Sequence, residues 1–448
     1  MSALRRAAEL AEEHLAGIAE RRVGAAASYE DTVAALDEPL PAAGEDPEAV
    51  LERLAAVAGP ATVASPGPRY FGFVTGGALP AALGADWLTS AWDQNSFSRV
   101  SSPAAAAIEA VAERWVLEAL GFPSSAAVGF TTGATMANFT SIAAARHAVL
   151  TRAGWDVEER GLSGAPPIRV IAGEQVHASL LVALRYAGLG APIRVPADAQ
   201  GAMRAETLRD AFGDGPTIVC AQAGEVNSGA FDPLDEIADA AADRGAWLHV
   251  DGAFGLWVAA SPSLRHLVKG AERADSWALD AHKWLNVPYD GAVAIVADRD
   301  AVRSAIGVTA SYLPQGGGRD PIDYSPEMSR RARSIPIYAA LRSLGRDGLA
   351  GLIDRCCALA RRLAAAMDEL DGAAVLNDVV INQVLVRFGD DDATTQRVIA
   401  DVQQGGEAWF GGTVWQGRAA ARISVSNWST TEADIDRLVA ALGRSLRG

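Results

Sequence analysis

Asp275-Ser276-Trp277-Ala278-Leu279-Asp280-Ala281-His282-Lys283-Trp284-Leu285-Asn286 decides the fold, because an apolar run with the profile of a buried strand leads directly into a lysine. Among 448 residues the only other lysine is Lys269, and the remaining 37 of 39 basic residues are arginine. A chain that writes arginine wherever a solvated cation will serve retains Lys283 for chemistry arginine cannot do. Arginine stays protonated, whereas a buried lysine amine can lose its charge and attack a carbonyl to form a Schiff base.

Outward from this stretch, short β-branched runs alternate with helical ones. Strands are expected at 168–172, 193–195, 217–221, 246–250, 276–279 and 292–296, with helices at 177–187 and 233–244 between them. This alternation predicts an α/β fold with a mostly parallel sheet, helices on its faces and ligands at the strand ends. His177 opens a helix, Asp251 ends a strand that is apolar apart from His249, and Lys283 follows the next strand.

The length suggests more than one domain. Residues 1–65, with helices at 7–22 and 48–57, read as an arm with too little core to stand alone. Residues 66–339 read as the large domain and 340–448 as a smaller C-terminal α/β domain. Half the residues are hydrophobic and 21% charged, and no apolar run reaches the roughly 18 residues of a membrane span. The amphipathic start points to the cytoplasm. A net charge of −16 without a basic stripe argues against nucleic acid. Cys220, Cys356, Cys357 and the six histidines have no spacing of a disulfide framework or zinc site, so no metal is expected.

Two loops carry further candidates. Gly129-Phe130-Thr131-Thr132-Gly133-Ala134-Thr135 leads into a helix expected from Phe139, and its exposed N–H groups suit either a phosphate or a plain N-cap. The segment 66–77, with Phe71, Phe73 and Thr75, reads as a turn with core aromatics or as a substrate-pocket wall. A lysine, a strand-end carboxylate, an imidazole and an anion-binding helix start are the parts a pyridoxal phosphate site needs.

On Gly133-Ala134-Thr135, His177-Ala178-Ser179, Gly229-Ala230-Phe231-Asp232-Pro233, His249-Val250-Asp251-Gly252-Ala253 and His282-Lys283-Trp284, the chain resembles the group II pyridoxal-phosphate-dependent amino acid decarboxylases, which have the aspartate aminotransferase fold. The resemblance implies decarboxylation of an L-amino acid to an amine and CO2. It implies a homodimer with the active site at the interface and the N-terminal arm packed on the partner. By the same resemblance Lys283 binds the coenzyme, Asp251 pairs with its ring nitrogen, His177 stacks on the ring and Ala253 packs beneath. Ala134, Thr135 and His282 surround the phosphate, while Phe73 and Thr75 line the substrate pocket. A loop at 312–330 should supply a catalytic tyrosine, Tyr324 ahead of Tyr312.

There are departures from the family pattern. Asp280 stands where an asparagine is usual near the phosphate, and Val226-Asn227 replaces paired threonines, so the usual hydroxyl contact to the coenzyme is either lost or passed to Asn227. Arg69 or Arg99 would suit a distal carboxylate on the substrate. Phe71, Phe73, Trp92 and Phe97 would suit an aromatic side chain, and the balance leans to a hydrophobic or aromatic amino acid. Oxidative aldehyde synthesis, lyase chemistry and transamination are the rival outcomes with the same coenzyme.

Overall fold

The computed structural model describes residues 2–308 and 319–448. The strand alternation closes into one seven-stranded sheet built from β1 (Ala127–Thr131), β2 (Arg169–Gly173), β3 (Ile193–Val195), β4 (Thr217–Gln222), β5 (Trp247–Asp251), β6 (Ser276–Asp280) and β7 (Ala292–Val296), in the order β1-β7-β6-β5-β4-β2-β3. The run from β6 through β5, β4 and β2 to β3 is parallel, and β7 lies antiparallel between β6 and β1. Every residue of β1, β4, β5, β6 and β7 is buried. That is why these strands are continuous apolar runs and not alternating ones. Trp277 shows how β6 is fixed: its indole N–H donates to the Ala271 carbonyl at 2.8 Å and its ring stacks on Phe122 with centroids 4.5 Å apart.

The register sets where chemistry can occur. Gln222 pairs with Asp251, Asp251 with Ala278, and Asp280 with Ala292, which in turn pairs with Thr131. The carboxyl ends of β4, β5, β6 and β1 therefore share one edge, where open α/β sheets bind ligands.

β1 falls in a stretch read as loop, because Gly129 weakens the strand signal. The glycine is required by packing: a Cβ there would lie 1.8 Å from the Tyr324 carbonyl oxygen. The following helix starts at Ala134, well before the expected Phe139, and runs to Arg152. A further helix, Tyr29–Leu36, forms where none was expected, with Ser28 Oγ accepting from Asp31 N–H at 3.0 Å.

The chain packs as two compact units, and their limits differ from the boundaries expected at 65/66 and 339/340. One unit comprises 1–77, 359–376 and 384–448; the other comprises 78–358 and 377–383. The 66–77 segment belongs to the first unit because its backbone is spent there. Phe71 N–H donates to the Trp409 carbonyl at 2.7 Å, and Ser424 N–H donates to the Phe71 carbonyl at 2.9 Å. The second sheet has the order β10-β11-β9-β8, from β8 (Ala373–Val375), β9 (Gln383–Phe388), β10 (Gly411–Trp415) and β11 (Arg418–Ser424). The helix Ser334–Asp368, kinked at Gly345, runs through the expected 339/340 boundary. Among the described residues no helix is long and apolar enough to cross a membrane, and no cluster of side chains is arranged to hold a metal ion.

Candidate active site

β5 and β6 carry Asp251 and Asp280 to the shared edge, and the turn after β6 brings His282 and Lys283 beside them. The turn is held where Ala281 and His282 both donate their N–H to the Gly291 carbonyl, at 2.9 and 3.1 Å. Lys283, Asp251, Ala253 and His177 line one cavity, completed by Gln222, Gly224, Val226 and Phe254. Four residues singled out from sequence thus converge, although over 100 positions separate the first from the last.

His177 is both an N-cap and a wall of the cavity. Its Nδ1 accepts from Ser179 N–H at 3.2 Å and lies 2.7 Å from Ser179 Oγ, while its own backbone N–H donates to Gln222 Oε1 at 3.0 Å. With Nδ1 accepting, the neutral ring carries its proton on Nε2. Capping and ring positioning, which sequence offers as alternatives, are one arrangement.

Asp251 is 4% exposed. Burial pushes its carboxyl above the usual carboxylate range; His177, Lys283, the Asn138 amide and the Ala253 N–H pull it back. Asn138 Nδ2 donates to Oδ2 at 3.0 Å and Ala253 N–H to Oδ1 at 3.2 Å. A buried carboxylate facing a cavity fits a protonated pyridine nitrogen, which would stabilise its charge.

Behind Asp251 runs a buried hydrogen-bond chain that sequence reasoning missed. Trp247 Nε1–H donates to Ser276 Oγ at 2.9 Å, which leaves the Ser276 hydroxyl proton for His249 Nδ1, also at 2.9 Å. His249 Nε2–H must then donate to Asn138 Oδ1 at 2.9 Å, and this turns the Asn138 amide nitrogen toward Asp251. The chain needs a neutral imidazole, and burial provides one by lowering His249 to about 3. The available signal was His249 itself, a polar residue two positions before Asp251 and so on the same strand face.

Beside Lys283, Asp280 accepts from Ala134 N–H at 2.6 Å and pairs with Lys283 Nζ at 2.7 Å. His282 stacks on Tyr289 at 4.4 Å and its Nδ1 accepts from Gly291 N–H at 3.2 Å, so Nε2 carries the proton and points at Asp280 Oδ1, 3.4 Å away. Burial holds His282 below the usual imidazole range. Gly133 and Thr135 flank Ala134 at the start of the helix, which has no side-chain cap of its own from Gly133. Such a helix start fits a phosphate.

Other expectations are corrected. Asn227 is spent on a turn: its amide Nδ2 and its backbone N–H donate to the two oxygens of Glu225 at 2.8 and 2.7 Å, and its neighbour Val226 lines the cavity instead. Tyr324 is buried, between Arg319 and Arg299, whose guanidinium carbons lie 4.9 and 5.8 Å from its ring. Arg299 also binds the Ser125 and Ala126 carbonyls just before β1, so Tyr324 packs toward the sheet edge opposite Lys283. The expected mobile loop is anchored from Arg319 onward, because Arg319 and Arg330 both bind the fully buried Glu109 at 3.0 Å. Tyr312 lies outside the described residues. Arg69 is buried and donates to the Ala19, Arg21 and Glu407 carbonyls.

The model of the pyridoxal-dependent decarboxylase conserved domain matches residues 30–388. The L-2,4-diaminobutyrate decarboxylase of Rhizobium meliloti (strain 1021) is 31% identical over 386 residues, covering 82% of this chain and 75% of that protein. Tryptophan decarboxylase 1 of Oryza sativa subsp. japonica is 28% identical over 397 residues, covering 80% and 76%. The crystal structure of Oryza sativa TDC with PLP and tryptamine shares the fold, with a TM-score of 0.93 at 24% identity over 100% of this chain and 97% of that one.

Proposed function

The chain belongs to the pyridoxal-dependent decarboxylases and is a PLP-dependent amino acid decarboxylase, and from that premise we propose that it converts an aromatic or otherwise hydrophobic L-amino acid to its amine. The carrying observation is the convergence of Lys283, Asp251 and His177 on one cavity at the carboxyl edge of the sheet. When bound, pyridoxal 5'-phosphate supplies the electron sink that takes up the electron pair left by departing CO2. Lys283 is the residue that would hold the coenzyme through its amine. Asp251, held by Asn138 and Ala253, would keep the ring nitrogen protonated. His177, fixed by Ser179, would stack on the ring and, when protonated, could return a proton to the α-carbon and end as the neutral imidazole.

The substrate preference is supported by what the arginines already do. Arg69 is committed to three backbone carbonyls, and Arg99 lies 3.9 Å from Asp320. Arg69, so committed, is not free to receive a distal carboxylate. Phe73 and Val74 both hold left-handed backbone, φ 53° and 59°, and Phe73 stays 59% exposed. A strained turn kept to present an aromatic ring suits a pocket wall. Assembly as a homodimer, with the arm on its partner, accords with Leu4, Tyr29 and Leu40, each at least 76% exposed.

The test is to incubate the PLP-loaded protein with each proteinogenic amino acid, following CO2, oxygen and product mass. Tryptophan, tyrosine or phenylalanine giving the amine without oxygen uptake is the expected result. Aldehyde with oxygen consumption, or turnover confined to acidic or basic amino acids, would overturn the proposal.

A further inference from the structure

We propose that Asp280 is an internal stand-in for the coenzyme's phosphate: it occupies the anion cradle and holds the reactive lysine until coenzyme displaces it, and so sets how tightly coenzyme is kept. This goes beyond the decarboxylation reading and rests only on the coenzyme.

The two carboxylate oxygens divide the task. Oδ1 takes the N–H of Ala134, the first residue of the helix Ala134–Arg152, and faces His282 Nε2. Oδ2 takes Lys283 Nζ at 2.7 Å. Helix N-termini collect negative charge through free N–H groups and the helix dipole. Gly133, in extended backbone, offers no side chain to cap this one. A carboxylate from a neighbouring strand does so instead, with only 4% of its side chain exposed.

The backbone of Asp280 cannot retreat. Its N–H donates to the Ala253 carbonyl at 2.8 Å, its carbonyl accepts from Trp257 Nε1–H at 3.0 Å, and it pairs with Ala292 of β7. Only side-chain rotation can clear the cradle, and the displaced carboxylate stays beside the incoming anion. The lysine that now neutralises it is the group the coenzyme consumes. Binding therefore exchanges a satisfied ion pair for two like charges sharing one helix start, and coenzyme should be held less tightly than the site would otherwise allow.

Coenzyme-free wild type and Asp280→Asn should be titrated with pyridoxal 5'-phosphate and with pyridoxal, which has the aldehyde but no phosphate. Binding is read from the absorbance change on linkage to Lys283, with inorganic phosphate as competitor and no substrate present. Removing one like charge from a partly buried site should tighten pyridoxal 5'-phosphate by about tenfold or more. Pyridoxal should gain by a much smaller factor, and inorganic phosphate should become the better competitor. Asp280→Ser, which empties the cradle instead of neutralising it, should show the same preference. Equal or weaker binding of pyridoxal 5'-phosphate by both variants, or an equal gain for pyridoxal, would overturn the proposal.

Discussion

Replacing Asn138 by leucine should cost the coenzyme-free protein about 2–6 kcal/mol, because two buried groups lose partners worth roughly 1–3 kcal/mol each. His249 Nε2–H loses its acceptor and Asp251 Oδ2 its donor, and both residues are at most 4% exposed. His249→Leu strands Asn138 Oδ1 in the same way. In the double variant the apolar side chains face one another and that orphaned pair no longer exists. Its loss should fall short of the summed single losses by about 1–2 kcal/mol. Urea denaturation at pH 7 of the four coenzyme-free proteins measures this coupling. A pH series supplies a second check on the chain. His249 is lowered to about 3 from 6.5, so its contribution is complete above pH 6.5 and is lost as pH falls toward 3. Wild type should therefore lose about 2 kcal/mol relative to His249→Leu between pH 6.5 and 5. Strictly additive single losses, together with a pH-independent gap, would refute a directed chain ending on Asp251.

Asp232, buried and pushed up to about 6 by desolvation, accepts from Met203 and Gln222 N–H at 2.7 Å. Its contribution is present below pH 3.8 and lost as pH rises through 6, so the stability of wild type relative to Asp232→Asn should fall by about 3 kcal/mol between pH 3.8 and 7 in denaturant titrations. Tyr324→Phe should keep turnover within about threefold and lose about 1 kcal/mol of stability through its bond to Arg299; a fall of roughly 100-fold or more in turnover would restore Tyr324 as a proton donor.

Lys283, Asp251 and His177 were legible in sequence because each is announced locally: a rare lysine after an apolar run, an acid closing a strand, a histidine opening a helix. What stayed hidden depends on residues far apart in sequence. Asn138 reaches Asp251 across 113 positions and Ala134 reaches Asp280 across 146. Arg69 carries no mark of the carbonyls it serves, and Tyr324 none of the arginines that enclose it. β1 was obscured for the opposite reason, since the glycine that weakens its local signal is the one its tertiary contact demands.

The placement of the two carboxylates follows from register, which no single strand encodes. Asp251 pairs with Ala278, so Asp280 stands two residues further along β6. At about 3.3 Å per residue and 4.8 Å between strands, the two Cα atoms are offset by about 8 Å along the edge. One acid is thereby delivered to the Asn138–His249 chain and the other to the start of the helix Ala134–Arg152. A one-residue slip of β6 would turn Asp280 to the other face of the sheet and detach it from both Ala134 and Lys283. The same pairing that places Asp251 at the cavity therefore places Asp280 at the helix start, where we propose that it competes with the phosphate, and only the side chain at 280 can be changed without disturbing the other end.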